Sequence, residues 1–396
     1  MEKQVVLRFV AMSDVHVGEV NDTEANRFRE AMEASYQYAS KQEYKTLDAL
    51  LLAGDMTKSG YENEVEAFKE VHDECLREET KSLLIMGNHE YFVESGDHVW
   101  QRWERIMQQD KNTHEVVNGY HFIGISLTAY SGYTDQIEWV EQELQKAATE
   151  APGKPIFVQM HYHAANTVYG SDFWGAEDLN GVFEKYPQII HFSGHSHYPI
   201  NDPRSIWQEK YTALGCGTLA YFELEPGMVY GSIPPNAEVA FQFYIVEVLE
   251  DDTVVVKAYD GITQSFFDME YRLKPPFLPE NFVYTKERAT GSEKPKFAPD
   301  GEIKIETIGE TSVSLTIPQA KGSERVHSYR FDFYTEDELK MSASIWSEFY
   351  FVDMPQTLTQ EFTNLTPKTH YKVTVTAINS WGKESDKPLI AEFITE

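Results

Sequence analysis

A chain of 396 residues, 41% hydrophobic and 25% charged, has the make-up of a folded globular protein and is long enough for two domains. Its formal net charge of −30 should repel nucleic acid and anionic lipid, because phosphate surfaces are held by lysine and arginine clusters and none is visible. The two cysteines, Cys75 and Cys216, make no disulfide framework, and no apolar run reaches the length of a membrane span.

In chain order, the first apolar run is Val5–Met12, interrupted only by Arg8, and it leads straight into Asp14-Val15-His16. It reads as a strand of the fold rather than a secretion signal, which gives a cytoplasmic expectation for this chain; trimming an export signal would leave the same sequence. A helix is expected over Thr23–Ser40, then a strand over Leu47–Ala53 that ends at Gly54-Asp55. A helix over Glu62–Glu79 precedes a strand over Leu83–Met86, which ends at Gly87-Asn88-His89-Glu90. Helices over His98–Gln109 and Asp135–Glu150 follow, then strands over Ile156–Met160, ending at His161, and Ile189–Phe192, ending at Gly194-His195-Ser196-His197. A hairpin of Ala240–Leu249 and Val254–Tyr259, turned at Asp251 and Asp252, closes this region.

The strand runs are nearly continuous in apolar residues, as for strands buried on both faces, and their alternation with helices indicates a layered α/β fold. Polar clusters at successive strand ends converge on one site in such folds. Here they supply oxygen donors from Asp14, Asp55 and Asn88 and imidazoles from His16, His161, His195 and His197, with His89 beside them. That set can hold two divalent cations sharing one carboxylate, the apparatus for splitting a phosphate ester with metal-bound water. Cys216, Ser196 and Ser126 are discounted as nucleophiles, since no base is identifiable beside them.

The order D-x-H, G-D, G-N-H-E, H, G-H-x-H resembles the calcineurin-like metallophosphoesterase family, and Gln136-Ile137-Glu138-Trp139 through Leu144 is similar to a helix of that family. The resemblance covers residues 1–274 and implies two stacked mixed sheets flanked by helices. It also implies two metal ions of the iron, manganese or zinc type, one held by Asp14, His16 and His197, the other by Asn88, His161 and His195, with Asp55 bridging. His89 would be the general acid that protonates the leaving oxygen. Glu90 is expected to orient an imidazole, and His163, two residues past His161, is a further candidate for contact with metal or substrate. The implied activity is hydrolysis of a phosphate ester, with a small, cyclic nucleotide-like phosphodiester favoured. A phosphomonoesterase acting on nucleotides, sugar phosphates or phosphoproteins is the alternative, as is a catalytically silent binding protein. Tyr91–Asp97, His163–Asp178, and Tyr198–Trp207 with Tyr221–Ile233 are rich in aromatic residues and stand where substrate choice would be made, as rings that stack a nucleobase or as packed lids.

Residues 275–299 collect prolines and read as a linker or wrap. Beyond them short alternating strands, such as Val313, Leu315 and Ile317 or Tyr371, Val373 and Val375, argue for an all-β sandwich over 300–396. Leu365-Thr366-Pro367 with Tyr371 and Asn379 resembles the fibronectin type III domain, with Tyr371 as its tyrosine corner, although Ile317-Pro318 stands where a tryptophan is usual. The resemblance implies a binding or spacing module for a protein or carbohydrate partner.

Overall fold

The computed structural model describes residues 3–128 and 132–396. The chain divides into two compact units, Met1–Leu224 with Asn236–Lys286, and Glu225–Pro235 with Glu287–Glu396.

The first unit is built on two six-stranded sheets. One runs in the order Ser265–Leu273, Val254–Asp260, Gln242–Leu249, Val5–Met12, Ala49–Leu52, Lys81–Leu84. The other runs Ile206–Gln208, Thr212–Gly215, Ile189–Ser193, Ile156–Met160, Tyr120–Ile125, Thr113–Val117. Val5–Met12 shows how the sequence dictates the layering. Phe9 faces the second sheet and meets Phe122, Phe157 and Phe192 at ring-centroid distances of 5.2, 4.8 and 5.8 Å. Val10 and Met12, on the other face, join Phe28 and Met32 of the helix Thr23–Ser40 and Phe68 of the helix Glu62–Cys75 in one core. Both faces are apolar because both are covered, and burying each such side chain contributes roughly 1.5–3 kcal/mol.

Arg8, which breaks the apolar run, lies opposite Glu247 in the antiparallel register and is buried with it. Its Nε donates to Glu247 Oε1 at 2.8 Å, and Lys257 Nζ donates to the same carboxylate at 2.9 Å. The charge is tolerated in the sheet because its partner sits on the neighbouring strand.

The parallel strands of both sheets end on the same side: Met12, Leu52 and Leu84 in one, Met160 and Ser193 in the other, each followed within a few residues by a polar cluster. Some bounds differ from expectation. The second helix stops at Cys75 rather than Glu79, with Leu76 extended. Its C-terminal sequence favours helix, but the chain must turn there to bring Lys81–Leu84 parallel to Ala49–Leu52. The strands Thr113–Val117, Tyr120–Ile125, Ile206–Gln208, Thr212–Gly215 and Ser265–Leu273 carry too little continuous apolar pattern or too much charge to be read from sequence.

The second unit contains a three-stranded sheet, Lys304–Ile308, Val313–Pro318 and Thr357–Phe362. Its four-stranded partner runs Glu338–Trp346, Val326–Thr335, His370–Asn379, Leu389–Ile394. Leu315, Ile317, Phe331 and Val373 fill the core between them, so Ile317 occupies the interior where a tryptophan was expected. Tyr371 Oη accepts from the Thr366 backbone N–H at 3.0 Å, as a tyrosine corner does. Within this unit Val229 N–H donates to Ser344 O at 2.9 Å, Tyr350 Oη donates to Pro235 O at 3.1 Å, and Glu225 pairs with His327 at 3.2 Å. The proline-bearing stretch is divided: Val283 and Tyr284 donate to Gln208 Oε1 in the first unit, whereas Ser292 and Glu293 meet Asn379 in the second. No helix among the described residues is long and apolar enough to cross a membrane.

Candidate metal centre

The strand ends deliver their polar residues on unusual backbone. Asp14, His16, Asp55, His195 and His197 all have φ between 54° and 70°, the left-handed region that side-chain-bearing residues rarely enter. Each costs of order 1 kcal/mol or more and persists because the surrounding structure fixes it. The motif glycines make room for these turns. A Cβ on Gly54, itself at φ 95°, would lie 2.4 Å from His161 Nδ1, and one on Gly194 would lie 1.7 Å from Ser13 Oγ and 2.4 Å from Asp14 Oδ2. Only glycine fits at either place.

Two groups of donors result. Asp14, His16 and His197 form one, Asp55, His161 and His195 the other, each with its donor atoms within 4.8 Å of one another. Asp55 also lies with His16 and His89 in a third grouping, and so faces both sides. In the first group, His197 Nδ1–H donates to Tyr221 O at 2.8 Å, which turns Nε2 inward, 3.2 Å from Asp14 Oδ1 and 3.2 Å from His16 Nε2. In the second, His161 Nδ1–H donates to Ala53 O at 2.8 Å, leaving Nε2 2.9 Å from Asn88 Oδ1 and 3.1 Å from Asp55 Oδ2. Asn88 is therefore brought into the second group as well. His195 sits beside it, its ring 5.0 Å from that of His161, and its backbone N–H donates to Asp14 Oδ2 at 3.0 Å.

Electrostatics favour a cation here. Asp14 and Asp55 are buried, which raises a carboxyl pKa, yet His197 and His16 around Asp14, and His161 around Asp55, hold both well below the usual carboxylate range. Burial lowers the His161 imidazole, but Asp55 and Asp14 override it and raise it to about 9. Burial wins at His16, lowered to about 4, and holds His195 well below its ordinary value. The centre therefore collects acceptor atoms and draws in positive charge that the protein supplies only as a proton. Among the described residues no lysine or arginine pairs with Asp14 or Asp55. Buried carboxylates and imidazoles whose Nε2 atoms turn inward, with the proton that Asp55 draws onto His161 displaced by the ion, fit Zn, Mn or Fe.

His89 stands at the edge. Its Nδ1–H donates to Lys58 O at 2.6 Å, its ring is 4.3 Å from that of His16, and its Nε2 is 3.9 Å from Asp55 Oδ2. The side chain is 23% exposed, enough to meet a ligand over the centre.

Three expectations change. Glu90 orients no imidazole: its carboxylate accepts from the backbone N–H groups of Gly87 at 2.7 Å, Thr57 at 2.9 Å and Asp55 at 3.2 Å, tying together two of the loops that carry donors. His163 turns to hydroxyls rather than to the centre, with Nδ1 2.7 Å from Ser193 Oγ and Nε2 2.8 Å from Ser196 Oγ. Ser196 thus does have an imidazole beside it, but it is buried and the pair braces the loop between His195 and His197. Burial pushes the Cys216 thiol up, away from thiolate chemistry. The acceptors that set the imidazoles, Ala53 O, Lys58 O and Tyr221 O, carry no sequence signal because any residue has a carbonyl. Tyr133 is similarly silent: its buried Oη accepts from the backbone of His161 and Tyr162 at 3.0 and 3.1 Å.

Compared with known proteins, residues 7–199 match the family model of calcineurin-like phosphoesterases and residues 297–391 that of fibronectin type III domains. Among solved structures, a purple acid phosphatase from yellow lupin (Lupinus luteus) seeds aligns at 13% identity and a TM-score of 0.48, over 69% of this chain and 54% of that one. The chain thus spans about half the length of that phosphatase. A fibronectin type III domain of human fibronectin type III domain containing protein 3 aligns at 26% identity and a TM-score of 0.20, over 26% of this chain and 89% of that one. No curated protein sequence matches the chain.

Proposed function

Because the chain carries a calcineurin-like phosphoesterase domain ahead of a fibronectin type III domain, we propose that it is a metal-dependent phosphodiesterase acting on a small substrate. The observation that carries this reading is the pair of buried donor groups that both reach Asp55, with His89 at their exposed edge. In it, Asp14, His16 and His197 would hold one cation and Asn88, His161 and His195 the other, with Asp55 as the carboxylate that both would share. When bound, such ions withdraw charge from a phosphate and render water nucleophilic near neutral pH.

The chain's own residues do the rest. The hydrogen bonds from His161 and His197 to backbone carbonyls fix each imidazole with Nε2 inward. Asp55 Oδ1 accepts from the His89 backbone N–H at 2.8 Å, so the bridging carboxylate and the general acid are set relative to each other. With Nδ1–H held by Lys58 O, Nε2 is the His89 nitrogen turned to the centre, and in the imidazolium form it hands its proton to the departing ester oxygen.

The test is turnover of matched phosphodiesters and phosphomonoesters by the full chain loaded in turn with Mn, Fe and Zn. A monoester preference across all three metals would replace this reading with that of a phosphomonoesterase, and bound metal without turnover would leave a binding protein. Asp55→Asn is expected to lower metal content, read by elemental analysis, and to abolish turnover together. Two unpaired cysteines are in keeping with a cytoplasmic setting, and the sandwich is assigned a protein-binding role.

A further inference from the structure

Most imidazoles that project into the centre have another aromatic ring beyond them. Phe92 lies parallel to His89, with centroids 5.2 Å apart and an interplanar angle of 15°. Tyr221 packs on His197 at 4.3 Å. Around His195 stand Tyr162 at 4.3 Å and Trp174, edge-on at 5.1 Å and 87°. Phe92 therefore flanks the donor group of His16, and Trp174 that of His161. Rings of a closed, packed lid would be covered. Instead Phe92 is 57% exposed, Trp174 38%, and Phe173, its neighbour in the short helix Ser171–Trp174, 68%. Large apolar rings left in water beside a polar centre mark a place where an apolar ligand surface docks.

We propose that these rings form an aromatic clamp that selects phosphodiesters carrying a planar uncharged ring, a nucleobase stacked on the Trp174 side. The inference rests on the phosphodiesterase reading and deepens it. With the phosphate over the centre, the ester arm nearest His89 is the one that leaves, so Phe92 covers the leaving arm and Trp174 the arm that is kept. Stacking suits this chain because it needs no cation: a ring face binds any base, whereas a second phosphate or a polyanion would meet a protein of net charge −30. The substrate is then the size of a mononucleotide, not a nucleic acid.

The experiment compares kcat/KM of the manganese-loaded full chain for the p-nitrophenyl esters of adenosine 5′-phosphate, of phenyl phosphate and of ribose 5′-phosphate, which lacks the base, so that the leaving arm is the same in all three. The readout is the ratio of base-bearing to base-free substrate, because loss of metal or of folding moves both alike. The ratio is expected to be roughly ten- to hundredfold in the native chain. It should fall at least about fivefold in Trp174→Ala, mainly through KM, and return in Trp174→Phe. A native ratio near one, or a ratio untouched by both Trp174→Ala and Phe92→Ala, overturns the clamp. Equal preference for the phenyl ester shows that a flat ring, rather than a base edge, is recognised, and supports it.

Binding of adenosine, which has no phosphate, read as fluorescence quenching lost in Trp174→Ala, separates the two readings. Quenching without turnover of any diester leaves the clamp standing and removes the phosphodiesterase. Turnover with a ratio of one and no quenching does the reverse.

Discussion

The proton on His89 and the space at Gly194 are where single residues matter most. If His89 Nε2 protonates the leaving oxygen, His89→Ala should retain metal yet slow poorly leaving alkyl esters by roughly 10²-fold or more, while activated aryl esters, which depart unprotonated, lose far less. Steady-state rates on the two ester types check this, and equal losses would assign His89 to loop geometry alone. At Gly194, an added methyl meets Ser13 Oγ and Asp14 Oδ2, so Gly194→Ala should cost about 1–3 kcal/mol in denaturant unfolding and weaken metal binding. Ser13→Gly in the same chain should recover part of that loss, a coupling that a double-mutant cycle measures. The candidate donors that the structure brings together could be named at this scale because a metal site needs particular side chains in a particular order. Their settings were not: the carbonyls of Ala53, Lys58 and Tyr221, the hydroxyls around His163 and the backbone-holding role of Glu90 depend on which loops meet, and composition does not encode that.

For strands, the sequence pattern works where an apolar run is continuous and fails where the run is short, partly exposed or interrupted by polar residues, at an edge or inside the sheet. Val5–Met12 and Ile156–Met160 were readable as continuous apolar runs, and they lie inside their sheets. Thr113–Val117, at an edge, has the partly exposed pattern of a strand with one covered face, and its neighbour Tyr120–Ile125 carries His121 within its apolar run. Arg8 looked like an interruption because its compensation lies 239 residues away, on the paired strand. Burial raises the Glu247 carboxyl, but Lys257 and Arg8 outweigh it and hold the group below its ordinary value. The stabilisation it provides is therefore present above the ordinary carboxylate range and lost as pH falls through the folded value. Glu247→Gln, which leaves Arg8 buried without its counter-charge, is expected to cost about 3–5 kcal/mol and to flatten the acid limb of the stability–pH curve. Chemical denaturation across pH reads both, and an unchanged acid limb would assign the acid sensitivity elsewhere.

Across the whole molecule, the two-domain order was legible from the change of strand pattern beyond the prolines, but the path of the chain was not. The segment Glu225–Pro235 belongs with the sandwich although it precedes the last strands of the first unit, and Val283 and Tyr284 belong with the first unit although they lie among the prolines. A chain ending at Lys286 should therefore keep the proposed chemistry, since every proposed ligand lies in the first unit, while Glu225–Pro235 loses Ser344, Tyr350 and His327 as partners. Limited proteolysis should cut that chain within Glu225–Pro235 first, and metal content and diester turnover should match those of the full protein. A folded, metal-loaded truncation without turnover would instead make the sandwich part of the active enzyme.

The left-handed backbone at Asp14, His16, Asp55, His195 and His197 also has a consequence in time. These conformations are poorly populated in a free chain and are held only once both sheets have closed. The residues involved are spread from the first strand to the turn after Ser193, and the sheet that holds Val5–Met12 is completed only by Gln242–Leu249, Val254–Asp260 and Ser265–Leu273, so a growing polypeptide on the ribosome owns no assembled site until all of these have emerged and folded. On the proposed reading, metal would be acquired by a finished domain. The choice among competing ions is made by a preformed cage and by whatever the surroundings offer at that moment, rather than by the order in which ligands are synthesised.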